Sequence, residues 1–204
     1  QMCDDEWNVP IGVVASCGGD ALFRLEALRA ANGYSDDLIA GEEPDLCLRL
    51  GSLGWRVRRI EAEMTLHDAN ILSIGGFWKR AERAGFAYAE HVRRHRKIAD
   101  PEKRRQVLSI LLWGIALPVF AIVLAGVVAT FSLLLSALTI AALVGVYLLQ
   151  IMRIALRKRG SGHKWKFSWS YGALFMLGKF AEAVGISRLM SDRLFRRRSR
   201  LTEY

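Results

Sequence analysis

Three groups of residues in this chain have types and spacings that could do chemistry. The densest is Glu42-Glu43-Pro44-Asp45, with three carboxylates in four positions. Crowded carboxylates repel one another, so one holds its proton more tightly and can serve as a general base near neutral pH. The same triplet at a helix start also suits the positive end of the helix dipole, by roughly 0.3–1 kcal/mol per group. The second group is His67-Asp68, where an imidazole beside a carboxylate suits a divalent metal, a phosphate or a structural hydrogen bond. The third is Gly18-Gly19-Asp20. Residues without a Cβ let the backbone turn tightly or approach a ligand. The carboxylate that follows could take a sugar hydroxyl or simply close a turn.

These groups need elements to hold them. Pro10 to Ser16 is short, β-branched and apolar and reads as a buried strand. A helix is expected over Leu25 to Ala31, stopped by Asn32-Gly33. A second opens at Gly41-Glu42-Glu43-Pro44-Asp45 and ends at Gly54, with Pro44 in the first turn where its missing N–H costs little. Trp55 to Ile60 and Met64 to His67 read as strands. From Ser73 to about Lys97 the apolar residues Phe77, Ala81, Ala84, Tyr88 and Val92 recur near one face, and basic residues occupy the other.

Charge divides the 204 residues into four zones. Residues 1–75 carry a net −7, residues 76–106 a net +6, residues 107–152 no charged side chain, and residues 153–204 a net +10. The uncharged zone is long enough for two bilayer spans of about 20 residues each and a tight turn. The turn is expected near Thr130-Phe131-Ser132, and Pro118 should kink the first span. Lys103-Arg104-Arg105 precede the spans and Arg153, Arg157, Lys158 and Arg159 follow them, which places both ends in the cytoplasm. The aromatic segment that follows, with Lys179 and Glu182 three apart on one face, reads as an amphipathic helix on the membrane surface; a third span is the alternative, at the cost of burying that pair. The basic tail Arg193 to Arg200 suits anionic lipid headgroups, and without a readout motif it does not indicate nucleic acid. Cys3, Cys17 and Cys47 have neither a disulfide-framework nor a metal-site spacing, and free thiols suit a reducing compartment.

Five segments now follow one another in order: Gly18 to Arg24, Asn32-Gly33-Tyr34, Gly41 to Leu50, Gly54-Trp55-Arg56 and Met64 to Asp68. Together they resemble the C-terminal half of the catalytic domain of family 2 glycosyltransferases, over about residues 8–97. The helix with Phe77-Trp78-Lys79-Arg80, followed by membrane segments, is similar to the membrane-associated members. The resemblance implies an α/β partial GT-A domain over 1–75, and the charge zones add a basic interface helix and linker over 76–106, two transmembrane helices over 107–152, and a basic amphipathic C-terminal helix and tail over 153–204. It implies an inverting transfer from a nucleotide-sugar to a lipid or polysaccharide acceptor at the cytoplasmic face of the inner membrane, with Mg²⁺ or Mn²⁺.

Residue by residue, the family's acidic pair falls on Glu42 and Glu43, with Glu43 as the base and Glu42 as the alternative. Gly19 and Asp20 fall on the segment lining the sugar pocket, and Asp45 and Arg49 on helix positions that shape the site. His67 falls on a metal-ligating position. Trp78, Lys79 and Arg80 fall near the acceptor or pyrophosphate. The resemblance places the nucleotide-binding units and an Asp-x-Asp metal motif ahead of residue 1, and Asp4-Asp5-Glu6 lies too close to Gly18 to be that motif. The expectation is therefore a C-terminal fragment, inactive alone. The competing expectation is a non-catalytic membrane adaptor that recruits partners through basic helices; a polysaccharide exporter would need more spans.

Overall fold

A Cβ-free residue at a helix crossing lets two backbones touch, and this chain uses that device to stack its helices. The structure, a computed structural model, describes residues 10–62, 71–98 and 100–196. In the N-terminal part, β1 (Gly12–Val14) pairs antiparallel with β2 (Val57–Arg59), with Val13 opposite Arg58. Both strands are shorter than the sequence pattern suggests. With no third strand beside them among the described residues, the ladder has little to extend it. The strand expected over Met64 to His67, like His67 and Asp68 themselves, lies outside the described residues.

Helix α1 (Leu25–Ala30) and helix α2 (Glu42–Ser52) form where expected. Asn32 and Gly33 both take positive φ, which ends α1. Ala27, Ala31, Leu46 and Leu50 form their shared core, covered by Phe23, Leu28 and Trp55. The α/β layering expected for a partial GT-A domain is represented among the described residues by this ribbon and these two helices. The rest of the described chain is mostly helical, and a GT-A fold is not established by it.

Helix α3 (Ile74–Arg94) starts at Ser73, whose hydroxyl accepts from Gly76 N at 3.0 Å. Asp100 caps α4 (Pro101–Leu111), which runs through a π-helical turn (Leu112–Ala116) into α5 (Leu117–Ala129). After the turn at Thr130 to Ser132, α6 (Leu133–Gly160) returns. Two helices, Pro101–Ala129 of 29 residues and Leu133–Gly160 of 28, are long and apolar enough to cross a membrane. At about 1.5 Å per residue, each exceeds a hydrocarbon core of roughly 30 Å.

Pro118 accounts for the π turn. In an α-helix its ring would press on the Gly114 carbonyl, and it has no N–H to donate. The turn widens, and Leu117 N bonds to Leu112 O, five residues back. The next such bond would run from residue 118 to the Trp113 carbonyl, and proline cannot make it. The Tyr147 hydroxyl of α6 donates to that carbonyl instead. The kink expected at Pro118 is thus taken up as a change of helical pitch one turn earlier, a familiar location for π turns.

The last helix, α7 (Trp165–Leu194), differs most from expectation. It packs along α3, α6 and the π turn, and its residues from Ser168 to Leu189 include a continuous buried stripe. Lys179 and Glu182 are buried as a pair, 2.7 Å apart, with the ammonium 4.7 Å from the Phe175 ring centre. Pairing is what makes burial of a charge tolerable.

Glycines set the approach. A Cβ on Gly85 would collide with the Glu182 carbonyl oxygen, and one on Gly185 with the Glu82 carbonyl oxygen. A Cβ on Gly114 would stand 2.8 Å from the Ala183 methyl, and one on Gly172 2.8 Å from the Ile151 carbonyl. Because the obstacle at Gly185 is backbone, a methyl there must push α7 off α3. Gly185→Ala should cost about 1–3 kcal/mol, the usual range for overpacking. A lowered thermal midpoint of the detergent-solubilised protein would register it, and Val184→Ala, at an exposed neighbour, should leave the midpoint nearly unchanged.

Candidate active site

The acidic turn is positioned by one residue. Gly41, the N-cap of α2, has φ of 85°, a left-handed conformation that disfavours a side chain. A Cβ there would also lie 3.2 Å from the Ala87 methyl of α3. Glycine therefore lets the chain turn and lets the start of α2 rest on α3. Glu42, Glu43 and Asp45 all fall in the first turn of α2, where the helix dipole favours them.

Glu42 and Glu43 are half-buried, and neither makes a hydrogen bond or ion pair with another described residue. Asp45 is buried and fully engaged. Its Oδ2 accepts from Ser35 Oγ at 2.9 Å and from Arg49 Nε at 2.9 Å, and its Oδ1 faces His95 Nε2 at 2.8 Å. Burial alone would raise its proton affinity. The hydrogen bonds from His95, Ser35 and Arg49 outweigh burial and hold the carboxyl below its usual range. Both oxygens being engaged within the protein, Asp45 braces the acidic turn. Arg49 completes the brace by donating to the Ala31 carbonyl at the end of α1.

Helix α3 holds the loop ahead of this turn at several points. Arg83 donates to the Ile39 carbonyl at 2.7 Å, Arg94 pairs with Asp37, and His95 pairs with Asp45. His95 stacks against His91, with ring centres 4.9 Å apart. His91 Nε2 lies 3.0 Å from Asp100 Oδ2, and Asp100 caps α4 through Oδ1. A polar chain thus runs from the acidic turn through the end of α3 to the start of the first membrane-type helix. Glu90, also buried, is held ionised beside it. Burial opposes this, but the Arg93 hydrogen bond and the charges of Arg93, Arg193 and Arg94 prevail.

On the other side of α2, the segment leading to Gly18-Gly19-Asp20 is tied down by sulfur. Cys17 N–H donates to Cys47 Sγ at 3.4 Å, and the two sulfurs are 3.5 Å apart. The Cys17 donors draw the Cys47 thiol down to about 7, against burial and the negative charge of Glu43. The Cys17 thiol, in contact with Cys47 and partly buried, moves upward. Burial raises the Tyr34 phenol, with Glu43 and the thiols adding to it, so Tyr34 also lies within the field of the acidic turn. Gly19 and Asp20 are exposed.

The structure therefore brings Glu42, Glu43 and Asp45 together with the segment that carries Gly19 and Asp20. Trp78, Lys79 and Arg80 belong to α3. Those three lie near the start of α3, seven or more residues before Ala87, or roughly 10 Å along the axis. His67 lies outside the described residues. Among the described residues, no three His, Cys, Asp or Glu side chains gather to hold a metal ion. The brace residues Ser35, His91 and His95 and the Cys17–Cys47 pair are not evident from sequence spacing. The one available signal was His91-x-x-x-His95, which puts both rings on one helical face.

A family model described as Glycosyl transferase family group 2 matches residues 5–156, which spans both the acidic turn and the two membrane-type helices. No curated protein and no solved structure matches the chain.

The His91 environment makes a pH prediction. Burial pushes its imidazole below the ordinary value of 6.5, outweighing the Asp100 hydrogen bond. The folded state therefore binds this proton less readily than the unfolded state. Stability is full above about 6.5 and declines as the pH falls through the folded value. Thermal midpoints measured from pH 7.5 down to 5 should fall, and His91→Asn should flatten that slope while lowering the midpoint at pH 7.5.

Proposed function

The chain belongs to glycosyl transferase family group 2, and from this we propose that its acidic turn is the base site of an inverting sugar transfer at the cytoplasmic membrane face. The observation that carries the reading is the placement of Glu42 and Glu43: half-buried, on a rigid helix start, next to the Gly18-Asp20 segment, and clear of internal ion pairs. A neighbouring carboxylate, Asp45, takes up the internal hydrogen bonds. That division leaves the pair free to act.

Glu43 takes the proton of the acceptor hydroxyl as the hydroxyl oxygen attacks the anomeric carbon and the nucleoside diphosphate departs. Glu42, one residue earlier, is the alternative base. Gly19 and Asp20 line the sugar's approach, the glycine allowing backbone contact and the carboxylate accepting from a hydroxyl. Trp78, Lys79 and Arg80 stand further along α3, where an extended lipid or glycan acceptor, or the pyrophosphate, would reach them. The family generally uses a divalent metal. The resemblance gives His67, which lies outside the described residues, as a ligand for it. The nucleotide-binding units that the resemblance puts ahead of residue 1 would hold the donor.

Membrane placement follows from the charges. The two apolar helices are joined by a three-residue turn and flanked at both far ends by arginine and lysine, which favours a cytoplasmic location for α3, α7 and the acidic turn. Nucleotide-sugars and an acceptor at the inner leaflet would both be reached there.

Glu43→Gln removes the base with little change of shape. In the complete membrane-embedded protein, transfer from a labelled nucleotide-sugar to endogenous lipid and glycan should fall by about 10²–10⁴-fold, with expression and melting unchanged. Loss in Glu42→Gln alone would move the base by one position. Full transfer in both variants would leave the adaptor reading. For topology, Phe131→Cys in intact cells should react with a membrane-impermeant maleimide, whereas His163→Cys should react only after the membrane is opened.

A further inference from the structure

The thiols of Cys17 and Cys47 belong to no step of the proposed transfer, yet the fold brings them together across 30 residues of chain. Their sulfurs are 3.5 Å apart, and the Cys17 backbone N–H also points to Cys47 Sγ. Cys47 is 3% exposed and sits inside α2, one turn from Glu43; Cys17 is the more exposed of the two and leads directly into Gly18-Gly19-Asp20. Both are free thiols. A hydrogen-bonded thiol pair, with one sulfur stabilised as thiolate and one side open, is the arrangement that a small oxidant converts to a disulfide.

We propose that Cys17 and Cys47 form a peroxide-oxidisable pair, and that their disulfide pins the Gly18-Asp20 segment to helix α2. The chemistry balances with hydrogen peroxide as the two-electron oxidant. The Cys47 thiolate attacks one peroxide oxygen, the O–O bond breaks, and hydroxide leaves, giving a sulfenic acid on Cys47. The hydroxide takes the Cys17 thiol proton and becomes water. The Cys17 thiolate then attacks the Cys47 sulfur, the S–O bond breaks, and the departing hydroxide takes a proton from solvent as the second water. Two thiols and one peroxide become one disulfide and two waters. A bond length of about 2.05 Å draws the sulfurs closer than they now stand, so the loop before Asp20 loses its freedom relative to the acidic turn. The low proton affinity of Cys47, about 7, supports the first step.

This inference borrows the Glu43 reading only for its consequence, because the thiol chemistry stands apart from sugar transfer. The test uses the complete membrane protein in detergent with Cys3→Ser, treated with a small excess of hydrogen peroxide, then blocked with N-ethylmaleimide and digested. Mass spectrometry should find the Cys17 and Cys47 peptides joined and two hydrogens lighter than the free pair, and dithiothreitol should separate them. In Cys17→Ser, Cys47 should instead carry a sulfenic acid that dimedone captures. Amide exchange at residues 18–21 should slow several-fold on oxidation. Recovery of both thiols as maleimide adducts, or stepwise oxidation to sulfinic acid without linkage, overturns the pair. Linkage with unchanged exchange overturns the pinning. Sugar transfer by the same sample should fall several-fold and return with dithiothreitol. No transfer even in the reduced sample would count against Glu43 as base and leave the mass result to judge the thiols.

Discussion

The contact on which the rest of the structure depends is the backbone-to-backbone crossing of α3 and α7 at Gly85 and Gly185. Each glycine faces a carbonyl oxygen of the opposite helix so closely that no Cβ fits. Such an approach maximises dispersion contact between the two helices. Around it, Ala81 and Ala181 are buried on the same faces, so each helix presents a small residue four positions before its glycine. Helix α7 makes the same kind of contact with the spans through Gly114 and Gly172. One helix of small residues therefore ties the amphipathic α3 to the membrane-type pair.

The acidic turn inherits its position from that stack. Helix α3 carries the loop and turn through Arg83, Arg94, His95 and the Ala87 contact with Gly41. Buried charge is costly unless paired, and each buried ionised group here has its partners: Asp45 with Arg49, Glu90 with Arg93 and Arg193, Lys179 with Glu182. The pairs that run between helices, Asp45 with His95, Glu90 with Arg193 and Glu82 with Arg188, are directional, so they fix how α2, α3 and α7 are rotated about their axes. The glycines fix how near they come. Two carboxylates of the acidic turn, Glu42 and Glu43, are left outside this network.

The first membrane-type helix shows the same logic on a smaller scale. Proline removes a backbone donor, the helix widens into a π turn, and Tyr147 of the next helix supplies the missing hydrogen bond to Trp113. Trp113 and Tyr147 meet edge to face at 5.6 Å, and Phe180 of α7 stacks on Tyr147 at 5.7 Å. The defect in one helix thereby becomes the point where three helices lock together.

Features set by neighbours in the chain were readable from sequence. The uncharged stretch from Val107 to Met152 determined the two long apolar helices, because charge is expelled from such segments at the scale of single residues. Thr130 to Ser132 determined their turn, and Gly41 with Pro44 and Gly54 marked α2 to within two residues. The order of motifs determined the family. What only the tertiary structure decided depends on partners far apart: Gly85 with Gly185, Asp45 with His95, Cys17 with Cys47. Periodicity shows that a face exists but not what covers it. So α7 read as a helix with a polar stripe, and only the structure shows that its small residues are packed against α3 and the two membrane-type helices. The strand expected over Met64 to His67 lies outside the described residues, which hold the two-stranded ribbon of β1 and β2. Local sequence chose the elements, and close packing, which only a folded chain can achieve, chose their neighbours.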